Sequence, residues 1–326
     1  MGIFSGKKKT YAERNPHAAA LYRTLSPQQQ KILDDFSYRE TKTVKSTEKL
    51  ALQRIAERYV IPKLGAVSEK EIRRQSEALY QKAVRTLQQS EITTNVSAKL
   101  FTVEEFFHSS EVKTVWSFNT GKGNGYHNTR QEVEERAFGW TVDWNVPLQK
   151  AAMMRPVYAG LNFSRHPYGA AVAYGSVVLV YKSDALHRST FLHKDTFDNE
   201  FQFASAVGDE LEKQRNKICT WAQMGILIGN MSDNQLKALL EVAEGTYSLT
   251  DYPPNYVEAQ VLGGVRFTRD LLEIRVATTG NSTLAKEAVV AKKSESTVKY
   301  LIGEFAKKHG VPARTYSLDS VVEVLN

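Results

Sequence analysis

The sequence predicts an α+β fold in three parts: a helical N-terminal domain, a core built on a mixed, mostly antiparallel sheet, and a short helical C-terminal extension. Three observations predict it. Capped amphipathic segments fill residues 25–90. β-Branched and alternating runs begin at Glu91 and recur to about Thr278. A basic last turn, Lys307-Lys308-His309, followed by Gly310 and Pro312, marks a helix end near the C-terminus. The boundaries expected are 1–20 as a flexible basic arm, 21–90 as the helical domain, 91–278 as the core and 279–326 as the extension.

Ser26-Pro27-Gln28-Gln29 combines an N-cap, a first-turn proline and a capping-box glutamine, with Ile32, Leu33 and Phe36 as the apolar face. Leu52, Ile55 and Tyr59 are in register for a helix over about Thr47–Val60, which Pro62 should end. Ser68 and Glu71 open a second capping box, and Ile72, Leu79, Ala83 and Leu87 fall on one stripe. Ile92–Val96 and Lys113–Phe118 read as strands, with a brief capped helix through Phe106 and Phe107 between them.

Pro156–Phe163 and Gly175–Tyr181 are strand-like, the second apolar on both faces and therefore central. Arg165-His166-Pro167 is a turn carrying two cation-capable side chains. Ser232 caps a helix that ends at Gly245. From Tyr256 to Phe267 the chain alternates. Val257, Ala259 and Val261 point to one face, and Tyr256, Glu258 and Gln260 to the other, until Gly263-Gly264 breaks the pattern. That polar face suits either a cleft or ordinary solvation of an outer strand face.

Charge is unevenly placed. Residues 1–100 hold 19 Lys+Arg against 10 Asp+Glu, so the net +7 of the 326-residue chain is an N-terminal property. This suits an acidic partner such as nucleic acid, or simply solvated helix faces. The Met1-Gly2 start with Lys7-Lys8-Lys9 lacks the Ser or Thr that myristoylation needs at the sixth position, where Gly6 stands. No apolar run approaches a membrane span and no signal-peptide core opens the chain, which predicts a cytoplasmic protein without a transmembrane segment. The single cysteine, Cys219, excludes an intrachain disulfide.

The seven histidines show no metal-ligand spacing, so no metal is expected. Neither a Walker A loop nor a Gly-x-Ser-x-Gly elbow occurs. What remains is the glycine-dense stretch Asn119-Thr120-Gly121-Lys122-Gly123-Asn124-Gly125, whose backbone amides can turn toward an anion or form a mobile loop, together with the Arg165-His166 turn and the Glu258-x-Gln260 strand. A carboxylate on such a strand suits chemistry through an oxocarbenium-like centre.

The fragments Leu25-Ser-Pro-Gln-Gln, Thr120-Gly121 with Asn124-Gly125, Arg130 through Val133-Glu134 to Gly139, Tyr158–Phe163, Arg165–Gly169, Tyr174-Gly175-Ser176, Ser189–Phe191 and Val257–Val261 keep a shared order over residues 25–275. In that order they resemble a bacterial family of uncharacterised proteins related to the ADP-ribosyltransferase fold. The resemblance implies a split sheet, NAD as substrate and Glu258 as the catalytic glutamate, and Gln260, two residues on along the same face, is expected to take part in catalysis with it. The resemblance also implies NAD contacts from Asn119, Thr120, Gly121, Asn124, Gly125, Arg165, His166, Tyr174, Gly175 and Ser176. Where relatives carry His and Arg on two strands, this chain has Asn95 and Trp116. The departure implies a divergent member, active or not, in which Asn95 hydrogen-bonds ribose or the nicotinamide amide.

Two functions follow as expectations. One is a mono-ADP-ribosyltransferase acting on a protein or nucleic-acid acceptor, with an NAD glycohydrolase as its water-accepting variant. By analogy such an enzyme serves as a toxin or delivered effector, with an antitoxin or chaperone as partner. The other is a non-enzymatic nucleic-acid-binding protein gripping through its basic N-terminal region.

Overall fold

The computed structural model describes residues 9–38, 41–65, 67–114, 125–140, 154–196, 203, 205–250, 253–254, 256–279, 283–318 and 321–325. Within them the chain is mixed α and β, and nine strands join in one sheet of order β5-β4-β6-β2-β1-β3-β7-β8-β9. The strands are β1 (Glu91–Val96), β2 (Val157–Asn162), β3 (Val177–Tyr181), β4 (Ser189–Leu192), β5 (Cys219–Thr220), β6 (Glu258–Val261), β7 (Leu271–Ala277), β8 (Ala313–Tyr316) and β9 (Val321–Leu325). Every neighbouring pair is antiparallel except β7 and β8.

Helices α1 (Pro27–Ser37), α2 (Thr41–Ile55) and α3 (Glu69–Gln88) form in the N-terminal region. The expected capping box at Ser26 is present, and Ser68 caps α3. Helix persists beyond Pro62 to Leu64, because a looser π-type turn at Ala56–Val60 precedes the proline and Gly65, at φ 67°, makes the stop. These helices have no core of their own. Ala51 and Ile55 of α2 and Leu79, Ala83 and Leu87 of α3 belong to one buried cluster with Val157, Ala159, Leu179 and Val261 of the sheet.

The arm expected over residues 1–20 is corrected for residues 9–20. Thr10 and Glu13 close a capping box on a short helix, and Tyr11 and Ala18 are fully buried in a second cluster with Phe36, Val133, Phe138 and Leu262. Basicity in the helical region is partly spent in ion pairs. Arg54 and Arg58 meet Asp233, Lys63 meets Glu244 at 2.5 Å, Arg73 meets Glu77 and Arg74 meets Glu71.

In the middle of the chain α4 (Gly125–Phe138) precedes β2, and α5 (Gly208–Arg215), α6 (Met224–Asn230) and α7 (Asp233–Glu244) precede β6. Of the strand expected over Lys113–Phe118, residues 115–118 lie outside the described residues.

The last quarter departs most from expectation. The alternating run is a strand only over Glu258–Val261; Gly263 and Gly264 then take positive φ, and a helical turn at Phe267–Asp270 leads into β7. The C-terminal segment is not a purely helical extension. Helices α8 (Leu284–Val290) and α9 (Glu295–His309) are the crossover that a parallel pair requires, and β8 and β9 complete the sheet beyond β7. No described helix is long and apolar enough to cross a membrane.

Candidate functional site

The ladder between β1 and β2 covers only Glu91 to Thr93, opposite Asn162 to Gly160. Beyond that point β1 continues with β3 as far as Val96, and β2 continues with β6 back to Val157. A cavity of about 500 Å³ lies where they part, lined on one side by Thr93–Ser97 and on the other by Pro156–Gly160. Although the nine strands form one connected sheet, the cavity therefore occupies a local division of it.

Register decides what faces this division. Thr93, Gly160, Glu258 and Leu192 lie in one row across β1, β2, β6 and β4. The opposite sheet face, with Ala159, Ala259 and Phe191, goes to the apolar core against α2 and α3. Glu258 thus reaches the cavity wall, yet it is only 1% exposed, which overturns the solvated outer-face alternative.

Its carboxyl group is surrounded by donors. Gln260 Nε2 donates to Glu258 Oε1 at 2.6 Å, and Thr196 donates to Oε2 from its backbone N–H at 3.2 Å and its hydroxyl at 3.3 Å. Burial nevertheless dominates and pushes the Glu258 pKa up to about 8, with Arg130 pulling it down and the Asp195 charge pushing it up. Gln260 is fully buried, accepts from the Thr190 hydroxyl at 2.7 Å and is not among the cavity-lining residues. Its expected catalytic part is corrected: it acts on Glu258, because its amide is enclosed between β4 and Glu258.

A buried cationic group stands beside the carboxyl. Arg130 and Glu134 are one turn apart on α4, so both project toward the cavity side while Val133 and Ala137 enter the second core. Arg130 Nη1 donates to the Thr196 hydroxyl at 3.0 Å, and its guanidinium lies 3.4 Å from the Tyr158 ring centroid. Glu134 pairs with both Arg130 and Arg155 and accepts from the Tyr158 hydroxyl at 3.1 Å. Two guanidiniums thus share one carboxylate.

Aromatic rings complete the walls. The Tyr256 ring lies close over Gly160, where an added Cβ would stand 3.1 Å from the ring, and its hydroxyl donates to the Ala159 carbonyl at 3.0 Å. Tyr174, 62% exposed at the rim, reaches Asp195 Oδ2 at 3.5 Å.

The other expected contacts divide. Asn95 lines the cavity, but both its N–H groups are committed, to the Tyr168 and Gly175 carbonyls, and its Oδ1 accepts from Ala171 N. It ties β1 to the 168–175 loop, and the expected donation to ribose or nicotinamide is corrected on that ground. Tyr174 is at the cavity, whereas Gly175 backs against the Val96 and Ser97 backbone, where any Cβ would collide. Ser176 gives its N–H and hydroxyl to Glu287 of α8, at 2.9 and 2.8 Å, and does not line the cavity.

Arg165 and His166 are likewise removed from it. The arginine donates to the Gln89 carbonyl, and the fully buried imidazole bonds the Thr250 carbonyl at 2.7 Å. Asn119, Thr120, Gly121 and Asn124 lie outside the described residues, and Gly125 is the first residue of α4. Among the described residues no cluster of three or more His, Cys, Asp or Glu is placed to hold a metal ion.

Sequence reasoning assigned no role to Arg130, Arg155, Tyr158, Asp195 or Thr196. The i, i+4 pair Arg130 and Glu134 was one available signal, and the shared face of Tyr256 and Glu258 another. No family model matches the chain, and neither does any curated protein sequence.

Proposed function

We propose that the protein is a mono-ADP-ribosyltransferase that binds NAD in the cavity between β1 and β2 and transfers ADP-ribose to a protein or nucleic-acid acceptor. The observation that carries this reading is Glu258: a buried carboxyl group on the strand next to the division of the sheet, facing a cavity walled by tyrosine rings and a guanidinium. The cavity volume falls within the range of small-molecule and cofactor sites. Tyr158, Tyr174 and Tyr256 offer faces to a planar base, and the Arg130 guanidinium at the cavity wall favours an anionic ligand such as a pyrophosphate.

In the reaction, the bond from ribose C1′ to the nicotinamide nitrogen breaks with its electron pair going to nicotinamide, leaving positive charge on the ribose. An ionised Glu258, held by three donors, stabilises that charge in a dry site where the interaction is strong. Before NAD arrives the group holds its proton at neutral pH, and the cationic nicotinamide ring favours its release.

The test is incubation of the purified protein with labelled NAD and cell lysate, then protease or nuclease digestion of the labelled species, beside a thermal melt with NAD. Label in a macromolecule and a rise in Tm are expected. No shift at millimolar NAD together with no release of nicotinamide would overturn the reading.

A further inference from the structure

Glu258 is not the only carboxyl group at this cavity. Asp195 also lines it, half-buried, one residue before the Thr196 that holds Glu258 and is itself held by Arg130. It shares the cavity lining with Glu258, and the Tyr174 hydroxyl, 3.5 Å from Asp195 Oδ2 on a residue exposed at the rim, puts it toward the opening. The two carboxyl groups therefore occupy different surroundings, one dry and enclosed by donors, the other wetter and nearer the opening.

Transfer of ADP-ribose needs two services. The departing nicotinamide leaves as a neutral ring and takes no proton, so no general acid is required. The acceptor, in contrast, must lose a proton as its lone pair forms the new bond to C1′. Glu258 lies on the floor, engaged by three hydrogen bonds, and is poorly placed for an acceptor entering from solvent. We infer that Asp195 is the general base for the acceptor: the acceptor O–H or N–H proton passes to the Asp195 carboxylate and then to solvent, with Tyr174 orienting that carboxylate at the rim. The inference rests on the transferase reading and adds to it the residue that serves the incoming nucleophile.

The experiment compares wild type and Asp195→Asn with two kinds of nucleophile. Azide carries no proton to lose, whereas water and macromolecular acceptors do. Asp195→Asn should lower transfer and hydrolysis by a factor of about 100 or more, the usual worth of a general base, while azide-dependent release of nicotinamide and the NAD-induced rise in Tm do not fall, since losing the Asp195 charge only favours the ionised form of Glu258. Equal losses with azide would show that Asp195 only supports Glu258, and unchanged hydrolysis and transfer would show that it takes no proton; either overturns the inference. A wild type that turns over NAD with no nucleophile, azide included, ends the transferase reading and this inference with it.

Discussion

Gln260 and Glu258, two residues apart on β6, are joined by a 2.6 Å hydrogen bond from amide to carboxyl, with the Thr190 hydroxyl closing the other end of the amide. This pairing makes Glu258→Gln a usable variant. The amide it introduces can accept from Thr196 and donate to Gln260 if the Gln260 amide turns over and donates to the rotatable Thr190 hydroxyl. Both amides then keep partners and the side-chain volume is unchanged, so the fold should persist.

On activity, Glu258→Gln should lower NAD turnover by a factor on the order of 100 to 1,000, comparable to losing one preorganised electrostatic partner. NAD binding should change far less. Nicotinamide release measured beside an NAD melt separates the two, and a fully active variant would remove Glu258 from the mechanism.

The same variant carries a stability signature that needs no substrate. Glu258 has a pKa of about 8 in the folded chain against an ordinary 4.5, so between those values the native state keeps a proton that the unfolded chain has released. Stability must then fall as pH rises through that window, by an amount on the order of 5 kcal/mol from this one group. Glu258→Gln abolishes the loss. Urea unfolding at pH 5 and pH 9 should show the variant gaining on wild type at the higher pH, whereas parallel pH profiles would mean that Glu258 ionises freely.

The sequence revealed elements wherever local chemistry spoke alone. Ser26, Ser68 and Ser232 begin helices because cap and helix are a few residues apart. The strand of Glu258 and its facing were legible from alternation, but its burial was not, since that depends on β4 and β2 flanking it. Asn95 looked like a ligand contact until the loop carrying Tyr168 and Gly175 folded onto it. The strands β7 to β9 escaped notice because the polar helical turn Phe267–Asp270 interrupts the pattern just before β7, and β8 and β9 are short and set by pairing with β7.

Because α2 and α3 bury Ile55, Leu79 and Leu87 against the sheet, the helical region is not a detachable targeting module. Deleting residues 1–90 would strip one face of the core, an exposure far larger than the few kcal/mol by which domains are stable. The truncated chain is expected to be insoluble or to lack a cooperative melt. A folded, NAD-binding fragment 91–326 would contradict the shared core.

Arg130 offers the most discriminating test of how the site is tuned. Its guanidinium lowers the Glu258 pKa, donates to Thr196 and shares Glu134 with Arg155. Replacing it by Met keeps an unbranched side chain there, removes the guanidinium from the Tyr158 ring, and leaves Glu134 with Arg155 and the Tyr158 hydroxyl, so that carboxylate is not orphaned. The loss of stability should be moderate, about 1–3 kcal/mol at neutral pH, from the buried hydrogen bond and charge contact removed. The sharper effect is on titration. Without the cation, Glu258 holds its proton to higher pH, so the pH midpoint of NAD turnover should move upward by about one unit, and the window in which stability declines should extend upward with it. A simple binding defect would lower turnover at every pH and leave the midpoint in place. Turnover and urea unfolding of Arg130→Met, each followed from pH 6 to 10, therefore separate a residue that tunes Glu258 from one that only contacts the ligand, and coincident midpoints with wild type in both measurements would rule out the tuning.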